Sequence, residues 1–249
     1  MRFSEDQLAE LLCSDRVKRP IHIWAPEQPR AVILAVHGGM AHAGDFVTPG
    51  LFFRSQGMAT VSFDMHGHDG RKRVDIPSFE CLLDDVSLFL QWVKRSYPGL
   101  PIFVMGHSMG ALIASHLELG HAAKDRDIRG VILSSPYYVN AVKVPRVLLW
   151  SSDALAMLLP TMKVPLESVT DLVTHDPVIT ARHHADEQDN VRASEVTSGS
   201  QRPCSRPSRL WLASCRLGPI RFSQCWRVMT SWPMLGRHRP CWRLFRSTC

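Results

Sequence analysis
A serine stands where an apolar run gives way to a helical one, and few architectures tolerate that junction. Ile102 to Met105 reads as a short buried strand, Gly106-His107-Ser108-Met109-Gly110 follows at once, and Ala111 to Leu119 has helical spacing. The G-x-S-x-G form in this context predicts a sharp strand-to-helix turn that lifts the Ser108 hydroxyl clear of the backbone. Flanking glycines let strand and helix approach closely. A glycine-rich turn with an N-capping serine is the alternative, and the strand–motif–helix order argues against it.

Three further apolar runs, Ala31 to Val36, Ala59 to Phe63 and Gly130 to Leu133, read as buried parallel strands. Phe79 to Arg95 reads as an amphipathic helix, stopped by Pro98-Gly99 before the next strand begins. Strands alternating with helices predict an α/β fold, a mostly parallel sheet with helices on both faces. Ala141 to Val173 is apolar, helical in spacing from Val147 to Leu159, and broken by Pro145, Pro160 and Pro165. It reads as a helical cap over the sheet edge, with an ordinary covering helix as the alternative. The expected organisation is a core over 1–140, a cap or lid segment over 141–185, and an aberrant, out-of-frame and disordered tail over 186–249.

Acyl transfer needs backbone N–H donors placed beforehand for the developing oxyanion. Met109, next after the serine, supplies one, and Gly39, in His37-Gly38-Gly39 at the end of an earlier strand, supplies the other. His37 reads as a buried structural residue. His175, His183, His184 and His238 read as solvated loop residues, and Asp84 and Asp85 as carboxylates early in a helix favouring its dipole. None of these is assigned to catalysis.

His37-Gly38-Gly39, Asp64-Met65-His66-Gly67-His68, Asp84-Asp85 and Pro98-Gly99-Leu100-Pro101 leading into Gly106-His107-Ser108-Met109-Gly110 resemble the monoacylglycerol lipase, lysophospholipase and serine aminopeptidase branch of the α/β-hydrolases over about residues 21–185. The resemblance implies the α/β-hydrolase fold, Ser108 as nucleophile, and Gly39 and Met109 as the oxyanion hole. It also implies a carboxylic-ester hydrolase acting on monoacylglycerol or lysophospholipid-like lipids, with no cofactor and no metal. Leu148, Leu149, Trp150, Leu155, Met157 and Leu158 of the cap would line the acyl path and make peripheral membrane contact. Thioester, peptide and haloperoxidase chemistry use the same scaffold. The sequence departs from the family in His66, where an arginine is usual, in Asp69, where a glycine is usual, and in Ala111, where a glycine is common.

Met1 to Glu10 holds no signal-like apolar run, so a cytoplasmic protein is expected. Charge divides sharply along the chain. Through Glu195 there are 19 Lys and Arg against 23 Asp and Glu, a net −4; beyond it there are 10 Arg, no Lys and no acid, a net +10. Five of the seven Cys and four of the seven Trp also lie there, without metal-type spacing. An acid-free stretch of this length has a chance on the order of one in a thousand at the composition of the preceding chain.

These features predict that the chain is read out of frame from somewhere in residues 185–205 onward. Reading the last base of each codon with the first two of the next turns Met229-Thr230 into Asp whatever the codon choice, and Trp232-Pro233 into Ala. With codons ending mostly in G or C, Gly218 to Leu235 rereads as ADPVLAVLAGDDLVADA, an apolar strand entering a turn like the one that carries this family's triad carboxylate. The catalytic Asp and His, and the last strands of the sheet, would then be missing from this chain, with the histidine beyond Cys249. Two alternatives to an active enzyme follow: an inactive truncated hydrolase, or a non-catalytic protein whose Arg-rich tail binds nucleic acid or another anionic partner. The tail lacks lysine and an amphipathic period, so no nucleic-acid partner is expected; the oligomeric state is left open.

Overall fold
The computed structural model describes residues 2–68, 73–74, 76, 78–119, 127–137, 159, 163–165, 174–193, 195–197 and 228–229. Seven strands form one sheet in the order β1-β2-β4-β3-β6-β7-β10, where β1 is Gln7–Leu12, β2 Lys18–Trp24, β3 Val32–Val36, β4 Ala59–Phe63, β6 Ile102–His107, β7 Ile128–Ser134 and β10 Val228–Met229. The β1–β2 and β2–β4 pairs are antiparallel, and every pair from β4 to β10 is parallel.

Strand β3 explains the layering. All five of its residues are buried, and Val32, Leu34 and Val36 alternate with Ile33 and Ala35 between two different cores. The first core takes Leu82, Val86, Phe89 and Val93 of α2 (Phe79–Ser96) and Ile113, Ala114 and Leu117 of α3 (Met109–Leu119). The second takes Phe3, Trp24, Phe46 and Met105, with Val47, Leu51 and Phe53 of α1 (Val47–Ser55) packed against it. A sheet buried on both faces reads as near-continuous apolar runs, which is why β3, β4 and β6 are legible in the sequence. Helix α2 begins at Phe79 as expected, with the Ser78 side chain accepting from the Cys81 N–H.

The antiparallel β1–β2 hairpin is absent from the sequence reading because its buried positions include charged groups. Arg19, 2% exposed, makes a two-pronged bond to Asp15 at 2.9 and 2.6 Å, and the His22 ring meets Glu5 at 2.7 Å. Asp85 also differs from its reading. It lies well inside α2, fully buried, where its Oδ1 accepts from the Ser14 N–H at 2.7 Å, tying the helix to the hairpin turn.

Described structure continues past residue 185. Helix α4 (Pro177–Gln188) is capped by Asp176, which accepts from the Val178 and Ile179 N–H groups, and has proline in its first turn. A second, three-stranded sheet in the order β5-β9-β8 joins Arg73–Val74 (β5), Glu195–Thr197 (β9) and Lys163–Pro165 (β8). Among the described residues only the two-residue β10 comes from beyond Thr197.

Candidate active site
Ser108 occupies the single position between β6 and α3, with a φ of +52°. That left-handed conformation costs a serine about 1–3 kcal/mol and persists only where its surroundings over-determine it. Here they do. The Ser108 N–H donates to the Ser134 carbonyl at the end of β7 (2.9 Å), and its own carbonyl accepts from Ala111 N–H (3.0 Å). A Cβ at Gly110 would run into the Val36 carbonyl oxygen, and one at Gly106 would stand 2.5 Å from Ala111 Cα. Both motif glycines are therefore places where two backbones touch.

The loop leaving β3 lies against this turn. A Cβ at Gly38 would stand 3.1 Å from Ser108 Cβ, and one at Gly39 would stand 3.8 Å from Met109 Sδ. The two residues expected to supply the oxyanion donors are thus in contact. Among the described residues neither the Gly39 nor the Met109 N–H has an acceptor. The Met109 donor also opens α3, where the helix dipole favours negative charge.

His37 is buried beneath the loop, as expected for a structural residue. Its Nδ1 meets the Gly38 carbonyl at 2.7 Å, so that nitrogen carries the proton, and its Nε2 accepts from the Met65 N–H at 3.0 Å. Burial, with the neighbouring His68 ring, holds its pKa well below the ordinary imidazole value. The unfolded chain therefore binds a proton at His37 that the fold excludes. Stability conferred by the neutral ring is complete above pH about 6.5 and falls as pH drops below it, by up to about 1.4 kcal/mol per pH unit for this group. The urea midpoint is expected to fall between pH 7 and pH 5, above the range where carboxylates titrate. A flat midpoint would mean that His37 is charged in the fold.

Beyond the loop, a short 3-10 turn (Ala43–Phe46) meets α4 through a dense ionic network. Arg192 contacts both Asp45 oxygens at 2.6 Å, His42 Nε2 lies 3.1 Å from Asp186 Oδ2, and Arg2 contacts Asp186 Oδ1 at 2.8 Å. Burial pushes the Asp45 carboxyl up, but His42 and the Arg192 guanidinium outweigh it and hold the pKa below the usual carboxylate range. His42, Asp45 and Asp186 stand close enough to chelate a cation, yet Arg192 and Arg2 already occupy the carboxylates. The cluster is an ion-pair joint between α4 and the core. His183, read from sequence as a loop residue, sits in α4 with its Nε2 3.8 Å from Asp45; His184 is also helical, whereas His175 is an exposed loop residue.

A family model described as serine aminopeptidase, S33, matches residues 27–197. The chain belongs to this family. Phospholipase YtpA of Bacillus subtilis (strain 168) is 30% identical over 177 residues, 70% of this chain and 65% of that one. Human monoglyceride lipase is 27% identical over 171 residues, 63% of this chain and 55% of that one. The chain spans less than two thirds of the length of either. A soluble variant of monoglyceride lipase from Saccharomyces cerevisiae, solved with a substrate analog, superposes with a TM-score of 0.60 at 19% identity, covering 78% of this chain and 65% of that one. The α/β-hydrolase fold and the monoacylglycerol lipase and lysophospholipase branch expected from the motifs are thereby shown.

For this serine aminopeptidase family member, the structure brings together Ser108, Gly39 and Met109. The expected acyl-path residues Leu148, Leu149, Trp150, Leu155, Met157 and Leu158 lie outside the described residues, as does His238. Among the described residues no histidine is hydrogen-bonded to Ser108 Oγ. His66, which replaces the family's usual arginine, places Nδ1 3.2 Å from Asp15, the carboxylate that Arg19 already holds. His68, Asp186 and Arg192 were not singled out from the sequence, since their roles depend on backbone and side-chain partners far along the chain. No helix among the described residues is long and apolar enough to cross a membrane.

Proposed function
We propose that this chain carries the nucleophile half of a serine hydrolase of lipid esters, monoacylglycerols or lysophospholipids. The observation that supports it best is Ser108 held in a left-handed turn beside two N–H groups, Gly39 and Met109, that lack acceptors among the described residues. Ser108 Oγ attacks the ester carbonyl and gives its proton to a general base. The oxyanion forms within reach of the two N–H groups, the alcohol leaves with a proton, and water releases the acid from acyl-Ser108. Relatives named phospholipase and monoglyceride lipase support the lipid-ester class.

The acyl chain is assigned to the apolar residues of the expected cap, which would also make peripheral membrane contact. Leu149→Ala with Leu158→Ala is expected to lower kcat/KM for monoolein and p-nitrophenyl palmitate by ten-fold or more while p-nitrophenyl acetate changes little. Equal losses on both would remove the cap from the acyl site.

A second reading concerns the base. We propose that residues after Thr197 are out of frame, so that the family's Asp and His are not encoded as written. Two observations support a break near that point: the last acid is Glu195, and the family match ends at residue 197.

A further inference from the structure
His68 is 2% exposed and takes no part in the chemistry outlined above. Its Nε2 accepts from the Met40 N–H at 3.1 Å, and its Nδ1 lies 2.9 Å from the His66 carbonyl. A carbonyl only accepts, so Nδ1 carries the proton and Nε2 presents a lone pair. The bond crosses from the turn after β4 to the loop after β3, 28 residues away. His37 makes the reverse crossing, its Nε2 accepting from the Met65 N–H, and the two rings meet edge-to-face with centroids 4.9 Å apart. Two neutral imidazoles of the same tautomer thus lace the two loops together, each accepting one backbone N–H from the other loop.

What the lacing holds is a strained backbone. Met40 has a φ of +60°, a conformation that a residue with an unbranched side chain leaves unless it is restrained. The peptide plane between Gly39 and Met40 is fixed by the bond at its nitrogen, and Gly39 brings no Cβ to limit rotation on the other side. The Gly38–Gly39 peptide, which carries the Gly39 N–H, is held at its carbonyl by His37 Nδ1 at 2.7 Å, so the two imidazoles fix the planes on either side of Gly39, and releasing the His68 side frees the rotation that turns Gly39 relative to Met109.

We propose that His68 is a positioning residue for the oxyanion loop, its neutral imidazole holding the Met40 N–H so that the Gly39 N–H points at the reacting carbonyl. The inference rests on the reading of Gly39 as an oxyanion donor. An imidazolium at this position would have no lone pair to offer, and neither would a hydrocarbon ring of the same shape. Glutamine, whose terminal oxygen falls near the position of Nε2, would have one.

The test uses the full chain, 15N-labelled, as wild type, His68→Phe and His68→Gln. Long-range proton–nitrogen spectra are expected to show His68 Nε2 unprotonated in the wild type. Amide exchange at Met40 is expected to rise at least ten-fold in His68→Phe and to return most of the way in His68→Gln. The Gly39 N–H residual dipolar coupling should change in the first variant and recover in the second. Ester turnover should follow, with kcat down by on the order of 100-fold in His68→Phe, KM within about two-fold, and kcat largely restored by glutamine. A protonated Nε2, or Met40 exchange and Gly39 orientation unchanged in His68→Phe, would overturn the proposal. Altered orientation with unchanged kcat would overturn the link to the oxyanion. If His68→Phe does not fold, the wild-type tautomer and the retained Met40 protection of His68→Gln decide. A frame-restored chain that leaves Ser108 unlabelled counts against the nucleophile reading, and where the chain as written turns over no ester the tautomer, exchange and coupling results decide on the clamp by themselves.

Discussion

In the chain with its reading frame restored after Thr197, Ser108→Ala is expected to remove at least ~10³ of kcat on p-nitrophenyl esters, with little change in the urea midpoint. The side chain contributes no hydrogen bond among the described residues, and the elbow is pinned through its backbone bonds to Ser134 and Ala111, which alanine keeps. Alanine also accepts the left-handed conformation about as poorly as serine does, so the fold should survive. A fluorophosphonate probe followed by intact mass reads the same prediction covalently: the frame-restored chain gains one phosphonyl group and its Ser108→Ala variant gains none. Undiminished hydrolysis by Ser108→Ala would end the assignment of Ser108 as nucleophile.

The second large effect concerns the base. In this chain as written, turnover should stay near the level that an oxyanion hole and binding supply without a functioning triad, roughly 10³–10⁴ over water. Shifting the reading frame after Thr197, so that the codon spanning Met229-Thr230 encodes Asp, is expected to raise kcat by several powers of ten and to lengthen the sheet beyond β7. The coding nucleotide sequence is the first measurement. Stop codons closing the other frames across residues 198–249 would defeat the proposal, as would full activity of the unshifted chain that depends on a histidine already encoded in it.

How much of this was legible beforehand follows from where polar groups lie. Strands β3, β4 and β6 read as near-continuous apolar runs because both faces are covered, β7 buries only Val131 and Leu133, and helix α2 carries an apolar stripe with a glycine of φ +76° three residues past its end. The elbow was legible because close backbone approach at Gly106 and Gly110 demands glycine whatever the rest of the sequence. By contrast β2 hides Arg19, paired with Asp15 in the hairpin turn, and His22, paired with Glu5 just before β1. Helix α4 was obscured for a similar reason: its buried anchor is Asp186, a residue that ordinarily marks a solvated face. The loop after β3 was expected beside the elbow and lies there, but its bond to His68 was not legible, since nothing in the order of residues says that His68 and Met40 meet.

The joint between Arg2 and Asp186 has a consequence for synthesis. Its partners lie 184 positions apart, and the neighbouring bond from Arg192 to Asp45 spans 147. A ribosome releases Arg2 and Asp45 long before it reaches α4, so through most of translation Asp45 lacks its guanidinium partner and Phe3 awaits the final setting of its pocket. Contacts of such long sequence separation are the last to form and the first exposed to chaperones and proteases. The emerging chain is therefore most vulnerable until about residue 192 has cleared the exit tunnel, after which Arg2 and Asp45 meet Asp186 and Arg192.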